Sequence, residues 1–146
     1  MGLIERLKRI AAATMVRVNP LIEDPHFARR VAQLEIEVLA HETTLWRVVA
    51  QEAANVASDA PTSSILKVRG TELIQRIGAM TVEALGDDAL PAYPETDYLL
   101  GTPNPAPGSP LAPGVVADFF YRRAITIYGG SNEIQRNIIA SELLRA

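Results

Sequence analysis

The residues best suited to chemistry lie near the end of the chain, in Tyr128-Gly129-Gly130-Ser131-Asn132-Glu133-Ile134-Gln135-Arg136. Two glycines follow a helix-like run that ends at Tyr128, and Ser131 and Asn132 open a second run from Ile134 to Leu144. Glycine permits backbone angles and close approaches that a side chain forbids. Ser131 or Asn132 can cap the new helix, and Gln135, three residues past Asn132, is close to a capping-box spacing. Two readings stand side by side. One is a tight corner between helices. The other is a helix N-terminus pressed against a ligand, its free N–H groups aimed at phosphate or another polar group.

Other chemistries find little support. The chain has no cysteine, which removes disulfides, thiolate catalysis and cysteine-based metal sites. His26 and His41 are too far apart for a local metal pair. Asp87-Asp88 is a pair of carboxylates without further ligands, which reads as a turn and not a cation site. No Ser/His/Asp arrangement and no phosphate loop of the Walker type occurs. Net charge is -3 and no basic block exceeds two residues, so no nucleic-acid footprint is expected. No apolar run approaches the roughly 18 residues of a membrane span. The start Met1-Gly2-Leu3-Ile4-Glu5-Arg6 lacks a signal-peptide core, and Arg6 stands where a myristoylation site needs Ser or Thr. A cytoplasmic protein is the expectation.

The elements that would position the turn are helical throughout. At 146 residues, 48% hydrophobic and 21% charged, the chain suits one domain with a modest core over 1–146. Residues 3–15 read as a short amphipathic helix with Leu3, Leu7 and Ile10 on one face, broken at Asn19-Pro20. Asp24-Pro25 is a strong helix start, a capping aspartate before a first-turn proline. Phe27, Val31, Leu34 and Val38, extended by Leu45, Val48 and Val49, predict a helix of about 30 residues, roughly 45 Å long. Within it His41 reads as a partly exposed residue with a hydrogen-bond partner and Trp46 as a packing anchor. Thr62-Ser63-Ser64 opens the next helix, to about Leu85, with Ile65, Leu66, Leu73, Ile77, Met80 and Leu85 inward. Gly70 and Gly78, two turns apart, suggest close approach of a neighbour on one side.

From 86 to 114 periodicity is lost and seven prolines gather: Pro91, Pro94, Pro103, Pro105, Pro107, Pro110 and Pro113. This stretch reads as a long irregular loop, mobile and partly polyproline-like over 101–113. Val116, Phe120, Ala124 and Ile127 give a further helical face, and the last helix, from Asn132 to about Leu144, is expected to bury Ile134, Ile138 and Leu143. No strand of convincing alternation is present. The fold class is all-α, an antiparallel helical bundle with a long Pro-rich loop.

The nine-residue stretch resembles the C-terminal signature of the acyl-CoA dehydrogenase family. Ser64-Ile65-Leu66-Lys67 and Gly70-Thr71-Glu72 look like the preceding bundle helix of that family, and the resemblance covers most of residues 20–146. It implies an FAD-dependent oxidation of an acyl-CoA thioester to the 2,3-enoyl-CoA. A carboxylate removes the α-proton while the β-hydrogen leaves as hydride to the flavin. It implies cofactor contacts at Gly129, Gly130, Ser131 and Glu133. Glu83 falls near the family's contact to the cofactor of a neighbouring subunit.

Three departures accompany the resemblance. Gly129 stands directly after Tyr128, where many members carry the catalytic glutamate, so no catalytic residue is assigned. Gly86-Asp87-Asp88-Ala89 adds carboxylates to a turn that is glycine-rich in the family. A family enzyme also has a helical domain and a β-domain before this bundle. Residues 1–19 then look like the remnant of a first helix with its linker. The implied function is a C-terminal domain or small subunit that contributes to FAD binding and oligomerisation and is inactive alone. Its partner would be a second copy or a chain supplying the missing domains. The alternative is a non-enzymatic helical interaction module.

Overall fold

The computed structural model describes residues 2–56, 60–90 and 108–145. Its helices are α1 (Leu3–Ala13), α2 (Pro25–Ala53), α3 (Ala60–Leu85), α4 (Val115–Tyr121) and α5 (Asn132–Arg145). The protein is all-α, as its periodicity predicts.

α1 closes at Thr14, whose N–H and hydroxyl both donate to the Ile10 carbonyl at 2.9 and 3.0 Å. The chain then reverses through a two-residue antiparallel ladder, Met15–Val16 with Asn19–Pro20, where the sequence shows no strand pattern. Pairs this short carry no face to alternate. A 3-10 turn, Leu21–Glu23, leads to α2. There the Asp24 carboxylate accepts from the Phe27 N–H at 2.8 Å, with Pro25 in the first turn. This is the cap the sequence calls for, and α2 runs 29 residues against the expected 30 or so.

α3 is the central strut and touches α1, α2, α4 and α5. The core gathers along its C-terminal half. Leu73, Ile77, Met80, Ala84 and Leu85 of α3 meet Leu7, Ile10 and Ala11 of α1 and Phe27, Val31 and Leu34 of α2. Each well-buried aliphatic side chain there contributes on the order of 1.5–3 kcal/mol.

Several packing expectations need correction. Trp46 is 68% exposed and is no packing anchor among the described residues; Leu45 and Val49 are exposed as well. α1 spans only 11 residues, so it covers the first part of α2 and leaves the later turns open on that side. α3 starts at Ala60 and takes Pro61 into its first turn, where a missing N–H costs little. On α3 the inward residues near the start are Ser64, Val68 and Thr71, while Ile65 is exposed, because α5 packs on that side. Gly70 does permit close approach: a Cβ there would fall 3.0 Å from His41 Nε2. Gly78 faces Phe119 of α4 instead, so the two glycines serve different neighbours. His41 has its ring against Gly70 and no hydrogen-bond partner among the described residues.

After α3 a 3-10 turn, Gly86–Ala89, follows. The Asp88 carboxylate accepts from the Ser109 N–H at 3.1 Å, so one of the two adjacent acids clasps the chain where it returns towards α4. The polyproline-like reading of 101–113 falls largely, and the break at Ser58-Asp59 wholly, outside the described residues. In α4 the inward residue is Val115, not the face of Val116 and Phe120; Phe120 and Ile127 are exposed. The helix lasts only seven residues before it tightens into a 3-10 segment, Arg122–Thr126, which rotates the later side chains off the α-helical stripe.

Candidate functional site

Two helices hold the approach to the turn. Arg122 pairs with Asp118 one turn earlier at 2.9 Å, and Arg6 of α1 reaches the same carboxylate at 3.8 Å. Gln75 of α3 donates to the Arg122 and Arg123 carbonyls, both at 3.3 Å, and so ties the start of the 3-10 segment to α3. The Arg123 guanidinium lies 5.2 Å from the centre of the Phe119 ring. The chain then passes Tyr128 and turns on Gly129 and Gly130, whose φ angles of 69° and 88° lie in the left-handed region. A Cβ at Gly129 would meet nothing within 4 Å, so this surface is open.

α5 begins at once. The Ser131 hydroxyl accepts from the Ile134 N–H at 3.4 Å, a long cap bond, and the Ser131 carbonyl accepts from Gln135 N at 3.0 Å. Ser131 is therefore the cap, and Gln135 does not close a capping box. Asn132 is 3% exposed and points into the protein. Its amide meets the Thr71 hydroxyl of α3 at 3.1 Å, and its Oδ1 is 3.4 Å from Lys67 Nζ. Lys67 also donates to the Gly130 carbonyl. Glu133 is an exposed carboxylate held below its ordinary range. Its own N–H is the first cause and the Ser131 hydroxyl the second, with Arg136 and Lys67 adding favourable charge. Arg136 bridges to Glu72 of α3 at 2.6 Å. The N–H groups of Gly129, Gly130, Ser131 and Asn132 meet no acceptor among the described residues.

Gly129, Gly130, Ser131 and Glu133 thus come together on one short turn. Glu83 does not join them. It lies 16 residues beyond Lys67 on α3, about 24 Å along the axis. There it forms a two-toothed pair with Arg30 of α2 at 2.5 and 2.7 Å, which holds its carboxyl below the usual range. Within one chain Glu83 ties α2 to α3. Lys67 and Thr71 hold the turn and Gln75 its approach, roles that the sequence does not signal as ligand contacts. Their trace in it is the four-residue steps Lys67–Thr71–Gln75, one polar helix stripe beside the expected apolar face of Leu66, Leu73 and Ile77. Among the described residues no group of acids and histidines could hold a metal ion.

The chain matches the family model for the acyl-CoA dehydrogenase C-terminal domain over residues 1–144. It belongs to the acyl-CoA dehydrogenase family. Solved structures share this domain's fold. The FAD complex of PigA superposes with a TM-score of 0.73 at 18% identity, over 99% of this chain and 33% of that one. Butyryl-CoA dehydrogenase from Megasphaera elsdenii gives 0.74 at 14% identity, over 98% and 32%. The ChsE4–ChsE5 complex from Mycobacterium tuberculosis gives 0.74 at 20% identity, over 99% and 35%. This acyl-CoA dehydrogenase domain therefore spans about a third of the length of the structures it matches. No curated protein matches the chain.

The turn's chemistry is compatible with a flavin dinucleotide. It offers open surface at Gly129, a serine hydroxyl and N–H groups that meet no acceptor among the described residues, the donors that pyrophosphate and ribose oxygens require. Asp88 is occupied at Ser109, so one of the two carboxylates of the turn after α3 has a structural use.

Proposed function

We propose that this chain is the C-terminal domain or small subunit of an acyl-CoA dehydrogenase-type flavoprotein, and that Gly129, Gly130, Ser131 and Glu133 contribute to its FAD site. The observation that carries the reading is the exposed glycine turn at the start of α5, whose N–H groups meet no acceptor among the described residues. The solved FAD complex among the similar structures supports the cofactor, and the two-component complex supports a partner chain.

FAD, when bound, supplies the hydride acceptor for oxidising an acyl-CoA thioester to the 2,3-enoyl-CoA. The part taken by this chain is binding and orientation. The Ser131 hydroxyl and the first N–H groups of α5 offer hydrogen bonds to cofactor oxygens, and the Glu133 carboxylate offers an acceptor to the adenosine half. Glu83, half exposed, would offer a neighbouring subunit's cofactor only the lone pairs that its Arg30 pair leaves free. Gly129 cannot abstract a proton, so the base must come from elsewhere in the assembly. The purified chain alone is expected to show no acyl-CoA turnover with an electron acceptor; measurable turnover would overturn the assignment of the base to another segment.

The decisive experiment is flavin content. The tagged chain, purified from its own cells with whatever accompanies it, should carry the flavin absorbance bands. In that material Ser131→Ala should weaken FAD binding by about tenfold, equivalent to 1.4 kcal/mol. A colourless helical oligomer that ignores added FAD would favour a non-enzymatic interaction module. Exposed apolar residues on α2 and α5 are what favour that second reading.

A further inference from the structure

Lys67, Thr71 and Asn132 form a small network whose hydrogens can be assigned. The Thr71 hydroxyl has one proton and lies 2.9 Å from the Val68 carbonyl, an acceptor only. Its proton goes there. The Thr71 oxygen is then free to accept, and the Asn132 Nδ2 donates to it at 3.1 Å. Asn132 Oδ1 also lies 3.2 Å from the Thr71 oxygen, and it is the Lys67 ammonium, a donor only and 3.4 Å away, that fixes the amide with Oδ1 on the lysine side. The same ammonium donates to the Gly130 carbonyl. Every polar atom of the buried Asn132 side chain therefore faces a partner on α3, and no buried side-chain polar atom among the described residues is left unpaired.

Consider what this does to the turn. Gly129 and Gly130 resist no rotation of their own, since glycine enters the left-handed region freely. Ser131 restrains only the helix side, through a long cap bond. The carbonyl of Gly130 and the side chain of Asn132, two residues apart, are both pinned to α3, with Ser131 between them. Pinning a peptide carbonyl sets the plane of that peptide and hence the direction of the Ser131 N–H.

We infer that Lys67 and Thr71 are the positioning residues of this turn: through the Gly130 carbonyl and Asn132 they fix the direction in which the N–H groups and hydroxyl at the start of α5 are presented. The functional meaning of that direction rests on the cofactor reading given above; the latch itself does not. Lys67 acts here as a hydrogen-bond donor within the protein.

The test uses amide hydrogen exchange on the purified chain. Lys67→Met keeps the stem and removes the ammonium from a partly exposed position, so the fold is expected to survive. Exchange at Ile134 and Gln135, whose N–H groups donate to the Ser131 hydroxyl and carbonyl, should quicken by about tenfold, the worth of one charge-assisted hydrogen bond, while α1 and α2 keep their protection. Lys67→Arg, which restores a cationic donor, should recover most of it. Thr71→Val is a second route, since it removes the acceptor for Asn132 Nδ2 without changing size. Unchanged exchange at the turn in Lys67→Met, or a rise spread evenly over all helices, overturns the proposal. FAD titration of the same variants in the co-purified assembly is a separate readout. A freed turn with unaltered FAD affinity would leave the latch standing and remove the cofactor reading.

Discussion

The two halves of α3 hold their neighbours by different chemistry. The C-terminal half meets α1 and α2 through Leu73, Ile77, Met80, Ala84 and Leu85, an apolar contact with little direction. The N-terminal half meets α5 through Lys67, Thr71 and Glu72, contacts that are polar and directional. Burial supplies most of the free energy of folding, whereas a hydrogen bond adds about 1 kcal/mol net and sets geometry. The first half is therefore a stable base, and the second is a frame that aims one turn. α5 shows the consequence. Its buried residue is Asn132, while Ile134 is 54% and Leu143 70% exposed. The expectation that Ile134, Ile138 and Leu143 are buried is not met, because among the described residues no helix covers the opposite face of α5.

The largest effect should come from the apolar base. Leu34 is 1% exposed among α2, α1 and α3. Leu34→Ala is expected to lower unfolding free energy by about 2–5 kcal/mol in urea titration, with a cavity left behind. Ile134→Ala in the same assay should fall within about 0.5 kcal/mol of the parent. Equal losses would erase the contrast between the two halves.

A second experiment sharpens it. The uncovered apolar residues Ile134, Leu143 and Leu144 of α5, with Trp46 on α2, are the surfaces expected to associate. Sedimentation at micromolar concentration should find dimers or larger two-fold assemblies. Ile134→Ser with Leu143→Ser should weaken self-association at least tenfold while unfolding of the monomer changes little. A clean monomer for the parent chain would show that this face is simply exposed.

The smallest effect belongs to the ion pairs that lace α2 to α3. Glu37 is held by Arg76 at 2.6 and 2.8 Å, and Glu83 by Arg30, and both carboxyls are lowered from an ordinary 4.5. A depressed folded pKa adds stability that is complete above the unfolded value and is lost as pH falls through the folded one. The window therefore lies from about pH 4.5 downward. Glu83→Gln should cost less than about 1 kcal/mol at pH 7, since the pair is half exposed. The difference between parent and variant should shrink in urea titrations below pH 4. A gap that stays constant to pH 3 would show that Arg30 contributes nothing specific.

Much of this was legible in residue order. Asp24-Pro25 states its own helix start because the cap is local: the aspartate binds an N–H three residues on. The Phe27–Val31–Leu34 stripe and the Leu73–Ile77–Met80 stripe follow from the helical period alone. The signature turn was legible as two glycines before a cap, and Ser131 does cap. Less legible was which apolar residues find a partner. Trp46, Phe120 and Ile138 have the right type and spacing for burial and are exposed, because burial depends on a second surface that periodicity does not supply. The reverse error concerns Ser64 and Thr71, whose polarity hides that they are buried. The roles of Lys67 and Glu83 were equally hidden, since their partners lie 63 and 53 residues away.

The sequence by itself thus determined what local physics decides: where most helices begin and end to within a few residues, α4 excepted, the all-α class, and the left-handed turn that only glycine adopts cheaply. Its nine-residue signature was also enough to point to the family. Only the tertiary structure decided which of two polar residues caps α5 and which is drawn inward. Ser131 and Asn132 are equivalent as caps in isolation. Asn132 is taken into the interior because Thr71 and Lys67 present an acceptor and a donor matched to its amide. That match requires two helices brought side by side, a condition no local window of sequence can express.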